Sequence, residues 1–97
     1  MDEKREDSEY VLRLFVSGSS PNSMRAIRNI QKFLEEHLKG KYKLNIIDLY
    51  KERAMAKEEQ IVALPLLIKK FPLPERRLVG DMSNIKKVRE GLGLIAD

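Results

Sequence analysis

The chain has 97 residues, enough for one modest hydrophobic core and not for two folded lobes. Apolar residues make up 42% and charged residues 35%, the balance of a folded domain with a densely charged surface, and the absence of cysteine excludes disulfides, thiol catalysis and cysteine-built zinc sites. With 19 basic and 15 acidic side chains the net charge is +4, which permits an acidic partner without demanding one.

The basic surplus lies in the second half: residues 1–40 hold 7 acidic and 7 basic residues, whereas residues 41–97 hold 12 basic and 8 acidic. One histidine is too few for an ordinary transition-metal site, so no metal and no cofactor are expected. No apolar run approaches the length of a membrane span, and Met1 to Asp7 is too charged for a secretory leader. A cytoplasmic protein without a membrane partner is expected.

Residues 1–9 have almost nothing to bury and are expected to form a flexible tail, with a single domain over residues 10–97. From Tyr10 to Val16 the apolar residues Tyr10, Leu12, Leu14 and Val16 share one face and Val11 and Phe15 the other, as in a central strand covered on both sides. Ser17 to Ser23 is a turn of helix-starting residues with Pro21 at the first helical position. Met24, Ile27, Ile30, Leu34 and Leu38 then draw an apolar stripe down a helix that Gly40 can end. Lys43 to Leu49 reads as a second, mostly buried strand, parallel to the first.

Lys51 to Val62 carries a weaker helical pattern around Ala54, Met55, Ile61 and Val62. Leu66-Leu67-Ile68 and Leu78-Val79, joined by Phe71-Pro72-Leu73-Pro74-Glu75, suggest a hairpin with a rigid connection. Asp81-Met82-Ser83 offers capping residues for a last helix built on Ile85, Val88, Leu92 and Ile95. The predicted order is β-α-β-α-β-β-α, in the α/β class.

That order, with Leu64-Pro65 opening the third strand and Gly80 closing the fourth, resembles the thioredoxin-like fold, in which a cis-proline sits beside the loop after the first strand. Here the loop reads Gly18-Ser19-Ser20-Pro21, with no Cys-x-x-Cys pair, so dithiol exchange is chemically impossible. Five blocks narrow the resemblance: Tyr10 to Gly18, Ser20-Pro21-Asn22-Ser23 with Arg25-Ala26, Ile46-Ile47-Asp48-Leu49, Ile61 to Leu67, and Pro72-Leu73-Pro74-Glu75-Arg76-Arg77-Leu78-Val79-Gly80-Asp81-Met82-Ser83. In this order and spacing they resemble the KaiB family of clock and clock-like proteins over nearly all of residues 10–92.

The resemblance implies a non-enzymatic partner of a hexameric KaiC-type ATPase. It also implies a competing thioredoxin-like domain in a sensor histidine kinase, and two folds from one sequence: a resting homo-oligomer, dimer or tetramer, and a thioredoxin-like monomer that binds the ATPase. Leu64 to Phe71, an apolar run that can be strand or helix, makes such switching physically plausible. Best-known members follow the last segment's glycine with Leu-Asp and a longer aromatic and acidic tail. This chain reads Gly91-Leu92-Gly93-Leu94-Ile95-Ala96-Asp97, so its balance between the folds is expected to differ, with the thioredoxin-like form favoured.

Lys43 and Asn45 match family positions at the ATPase interface, and Lys69, Arg76 and Arg77 supply the basic part of the same half. Arg25, unfavourable for a helix dipole in the first turn, matches a further position facing the partner. Pro65, Pro72, Pro74, Gly91 and Gly93 are the fold-switch or cis-proline candidates. No catalytic role is expected for the serines, for Asp48 or for His37, and no Gly-rich phosphate loop is present. The competing expectation is a thioredoxin-like adaptor that binds nucleic acid or another protein, through Lys69, Lys70, Arg76, Arg77, Lys86 and Lys87. Only 6% aromatic residues leave little to stack on bases, so a nucleic-acid partner is not expected.

Overall fold

A computed structural model describes residues 9–94. Its elements are β1 (Tyr10–Val16), α1 (Pro21–His37), β2 (Tyr42–Asp48), α2 (Arg53–Glu58), β3 (Leu66–Phe71), β4 (Arg76–Val79) and α3 (Ile85–Gly91). The expected order holds. The tail expected over residues 1–9, apart from Glu9, and Ile95 of the last helical stripe lie outside the described residues.

One four-stranded sheet runs in the order β2-β1-β3-β4. β1 and β2 are parallel, with Tyr10 opposite Tyr42 and Val16 opposite Asp48, while β3 runs antiparallel to both β1 and β4. Alternate side chains of a strand point to opposite faces, so each strand divides its residues between two layers. Leu12, Leu14 and Val16 join Leu67 and the inner sides of α1 and α3, through Ile30, Phe33, Leu34, Val88 and Leu92. Phe15, Leu66 and Ile68 face the other way with Leu49, where Met55 and Ala56 of α2 cover them. The first cluster has twelve buried residues and the second four, so most of the apolar burial that stabilises the domain lies on the α1–α3 side.

The helix after β1 starts where the turn chemistry places it. The Ser20 hydroxyl accepts from the Ser23 amide at 3.2 Å, and Pro21 fills the first position, where its missing N–H is not needed. The buried face, however, is rotated from the expected stripe. Ser23, Ala26, Ile30, Phe33 and Leu34 are buried, whereas Met24 is 39% exposed. Ser23 and Ala26 are fully buried, and Ser23 can be internal because its hydroxyl is bonded to the loop before the helix. Beyond the helix the chain turns at Gly40, which takes φ +77.

The expectation of a mostly buried second strand is corrected. β2 is a sheet edge, none of its residues is fully buried, and Ile46 is 41% exposed. An edge strand has a neighbour on one side only, and its apolar residues are half covered. The buried central strands are β1 and β3.

Candidate functional site

The register and the two-layer division sort the sequence-predicted residues by face. Lys43 and Asn45 of β2 stand beside Val11 and Arg13 of β1, on the α2 face. Arg77 of β4 lies opposite Ile68 of β3 and joins the same face. Lys69 and Arg76, paired across β3 and β4, belong to the α1–α3 face, and Arg25 sits in the first turn of α1. The structure therefore places Lys43 and Asn45 side by side at the β2 edge and Arg77 on the same face at the opposite, β4 edge, and it does not bring all six together.

Each cation has a specific environment. Lys43 keeps 71% of its side chain exposed and makes a loose pair with Glu9 at 3.7 Å. Arg77 donates to the backbone carbonyls of Glu59 at 2.6 Å and Gln60 at 3.2 Å, where the carbonyls ending α2 attract a cation. Arg25 donates to Asp81 at 3.3 Å and also to Asn22, which offsets its unfavourable position at the helix start. Asp81 in turn accepts from the Ser83 amide at 3.0 Å, and its backbone carbonyl accepts from Asn29. Hydrogen bonds from Ser83, followed by the Arg25 guanidinium, hold the Asp81 carboxyl below the usual aspartate range.

Lys69 departs from the expectation of an exposed docking cation. It is 5% exposed, and burial, followed by the charge of Arg76, pushes its ammonium below the usual lysine range. Position explains the departure. β3 is an interior strand covered on both faces, and its first four residues, Lys69 among them, are all buried. The six cations of the nucleic-acid alternative do not form one stripe either, since Lys70 and Arg77 face α2, Lys69 is buried and Lys86 and Lys87 lie on α3.

Between α2 and the β2 edge lies an open cleft of about 520 Å³, lined by Arg13, Asn45, Ile47, Asp48, Lys51 and Met55 among others. Sequence reasoning missed Arg13 and Glu59 and gave Lys70 only to the nucleic-acid alternative, yet the three meet on this face: Glu59 accepts from Arg13 at 3.0 Å and from Lys70 at 3.2 Å. The available signal was Arg13 itself, a lone cation in an apolar strand, which needs a partner when half buried.

The loop after β1 is closed by hydroxyls and one carboxylate. Ser20 donates to Ser23 at 2.8 Å, the Ser23 hydroxyl accepts from the Ser17 amide at 3.1 Å, and Asp48 accepts from the amides of Gly18 and Tyr50 at 3.0 and 2.9 Å. Gly18 adopts φ +61 with Tyr50 so near that an added Cβ would meet its ring at 3.0 Å. These serines hold the loop and the start of α1. The Leu64-Pro65 peptide is cis and lies one residue beyond the Phe15–Leu66 pair; Phe71-Pro72 and Leu73-Pro74 are also cis. His37 packs against the Phe33 ring, with centroids 4.3 Å apart. Among the described residues no helix is long and apolar enough to cross a membrane.

Comparison with known proteins points the same way. Residues 13–94 match the KaiB domain. The circadian clock oscillator protein KaiB of Prochlorococcus marinus strain MIT 9312 is 46% identical over 88 residues, 91% of this chain and 84% of that protein. Among solved structures, the N-terminal domain of Synechococcus elongatus SasA superposes with a TM-score of 0.72 at 18% identity, covering 93% of this chain and 89% of that one. Mitochondrial thioredoxin 3 from Saccharomyces cerevisiae gives 0.71 at 12% identity, covering 91% and 80%. At such identities these two likenesses establish the thioredoxin-like fold.

Proposed function

The chain belongs to the KaiB family, and on that premise we propose that it is a non-enzymatic regulator of clock type. In this reading it binds a hexameric KaiC-type ATPase and alters its phosphorylation state or its access to other partners. The match of residues 13–94 to the KaiB domain carries the reading. The loop that bears the redox pair in dithiol enzymes holds serines here, and no cysteine exists in the chain to take their role.

Lys43 and Asn45 at the β2 edge, with Arg77 on the same face at the far edge, form the proposed docking surface, and Arg25 and Arg76 are flanking contacts. Lys69 reaches a partner only if its strand is rearranged, since it is buried in this form. Pro65, Pro72, Pro74, Gly91 and Gly93 are the proposed pivots of an interconversion with a resting homo-oligomer, dimer or tetramer. A thioredoxin-like domain of a sensor histidine kinase competes for the same surface on the ring. The reading places the protein in the cytoplasm, with no nucleic acid and no cofactor required.

The test is size-exclusion chromatography with light scattering, on the protein alone and after overnight incubation with the KaiC-type hexamer and ATP. Co-elution supports the reading, and its absence at tens of micromolar, about the range of weak specific complexes, overturns it. Lys43→Glu is expected to slow association at low ionic strength and to lose its effect as salt rises, because an exposed cation steers encounter more than it holds the complex.

A further inference from the structure

The α2 side of the sheet is thinly packed. α2 has six residues and buries none of them fully; Met55 and Ala56, with Ile61 and Leu64 beyond it, are only partly covered against Phe15, Leu49, Leu66 and Ile68. A helix this short has no stability of its own, and no side-chain cap holds its start. Its end is held differently.

Glu59, the residue after α2, is tied to three strands. Its carboxylate accepts from Arg13 of β1 at 3.0 Å through one oxygen and from Lys70 of β3 at 3.2 Å through the other. Its backbone carbonyl accepts from Arg77 of β4 at 2.6 Å, and the same guanidinium donates to Gln60, which stands at φ +55. The Glu59 side chain is only 18% exposed, and those of Arg13 and Lys70 are 32% and 27% exposed, so water screens these contacts less than an open surface pair. Glu75 stands 3.7 Å from Lys70 and is the other carboxylate within reach of the group among the described residues.

We propose that Glu59 is an electrostatic clasp that seats α2 on the sheet, so that loss or screening of its charge opens the segment 53–64 as a unit while the α1–α3 layer stays closed. The unequal layers make this separation physical. A segment resting on four buried side chains can detach without disturbing the twelve on the far side. Opening uncovers Phe15, Leu66 and Ile68 and frees Arg13 and Lys70. The inference rests on the free chain and not on the binding reading above.

Hydrogen exchange of the full chain tests it. Glu59→Gln keeps the shape and removes the charge; amides of residues 53–64 are expected to exchange about tenfold faster, with α1 and α3 amides unchanged. Raising salt to about 0.5 M is expected to speed the same amides in the wild-type chain and to have little further effect in the variant. Arg25→Ala, which breaks the ion pair on the other side of the domain, is expected to leave residues 53–64 unaffected. If Glu59→Gln does not fold, Lys70→Met removes one arm of the clasp and is expected to produce a smaller acceleration of the same amides. An unchanged segment, or an equal acceleration throughout the chain, overturns the proposal. So does a salt response that survives the substitution at full size.

Discussion

Replacing Gly91 by alanine tests how tightly α3 is seated against β4. Gly91 is the buried last residue of α3, and a Cβ placed on it would come within 2.7, 2.8 and 2.9 Å of Cδ1, Cδ2 and Cγ of Leu78. Carbon atoms in favourable contact stand about 3.5–4.0 Å apart, so all three distances are short by roughly 1 Å. Because Cγ is among them, turning the terminal methyls alone does not clear the space.

The backbone itself raises no objection, since Gly91 is not among the glycines with positive φ. Alanine in a helix is favoured over glycine by about 1 kcal/mol. Forcing an extra carbon into a filled contact costs about 1–3 kcal/mol. The expected net effect of Gly91→Ala is a destabilisation of about 1 kcal/mol, lowering the Tm by about 4–8 °C in a domain of this size. In a Leu78→Ala background the obstructing atoms are gone, and the same substitution is expected to stabilise by about 1 kcal/mol. Urea unfolding followed by far-UV circular dichroism closes the cycle, with an expected coupling of about 2 kcal/mol. An equal effect of Gly91→Ala in both backgrounds would refute the close seating of α3 on Leu78.

Two further predictions concern charge. Lys69 has a buried ammonium in the folded chain, so Lys69→Met is expected to raise stability by about 1–2 kcal/mol at neutral pH, read from the urea midpoint. Its folded pKa is lowered, so the wild-type penalty is full below that value and fades as pH rises toward 10.5, narrowing the advantage of the variant. Asp81 has the opposite sign: its lowered pKa contributes stability that is present above the unfolded value and lost as pH falls through the folded one. Asp81→Asn is therefore expected to be less stable than wild type at neutral pH, with the difference shrinking on acidification below about pH 4; a difference independent of pH would sink the assignment.

The element order was legible because each element carries its own local signal. The Ser20-Pro21 start of α1, the apolar alternation of β1 and the proline-bounded hairpin need nothing from the rest of the chain. Burial was less legible because it depends on neighbours. Leu44, Ile46 and Ile47 read as buried, yet an edge position leaves them half covered or exposed, and Lys69 reads as a surface cation, yet an interior strand encloses it. The rotated face of α1 has a similar cause, since Ser23 looks polar in isolation and is internal once its hydroxyl serves the preceding loop. Of the candidate site, the basic character of Lys43 and Arg77 could be read residue by residue. The gathering of Arg13, Lys70 and Arg77 about Glu59, and the placing of Lys43 at the opposite edge, could not, because both come from strand order and register.

The open rims of the sheet carry one further consequence. β2 presents Lys43, with Lys41 just before it, and β4 presents Arg76 and Arg77, with prolines 72 and 74 just ahead of them. Were two copies of this form to join rim to rim, cation would meet cation along the new seam, and bare backbone edges are the usual starting points of strand-by-strand aggregation. These cations thus discourage this form from pairing with itself edge to edge, which bears on how concentrated it can become and remain dispersed.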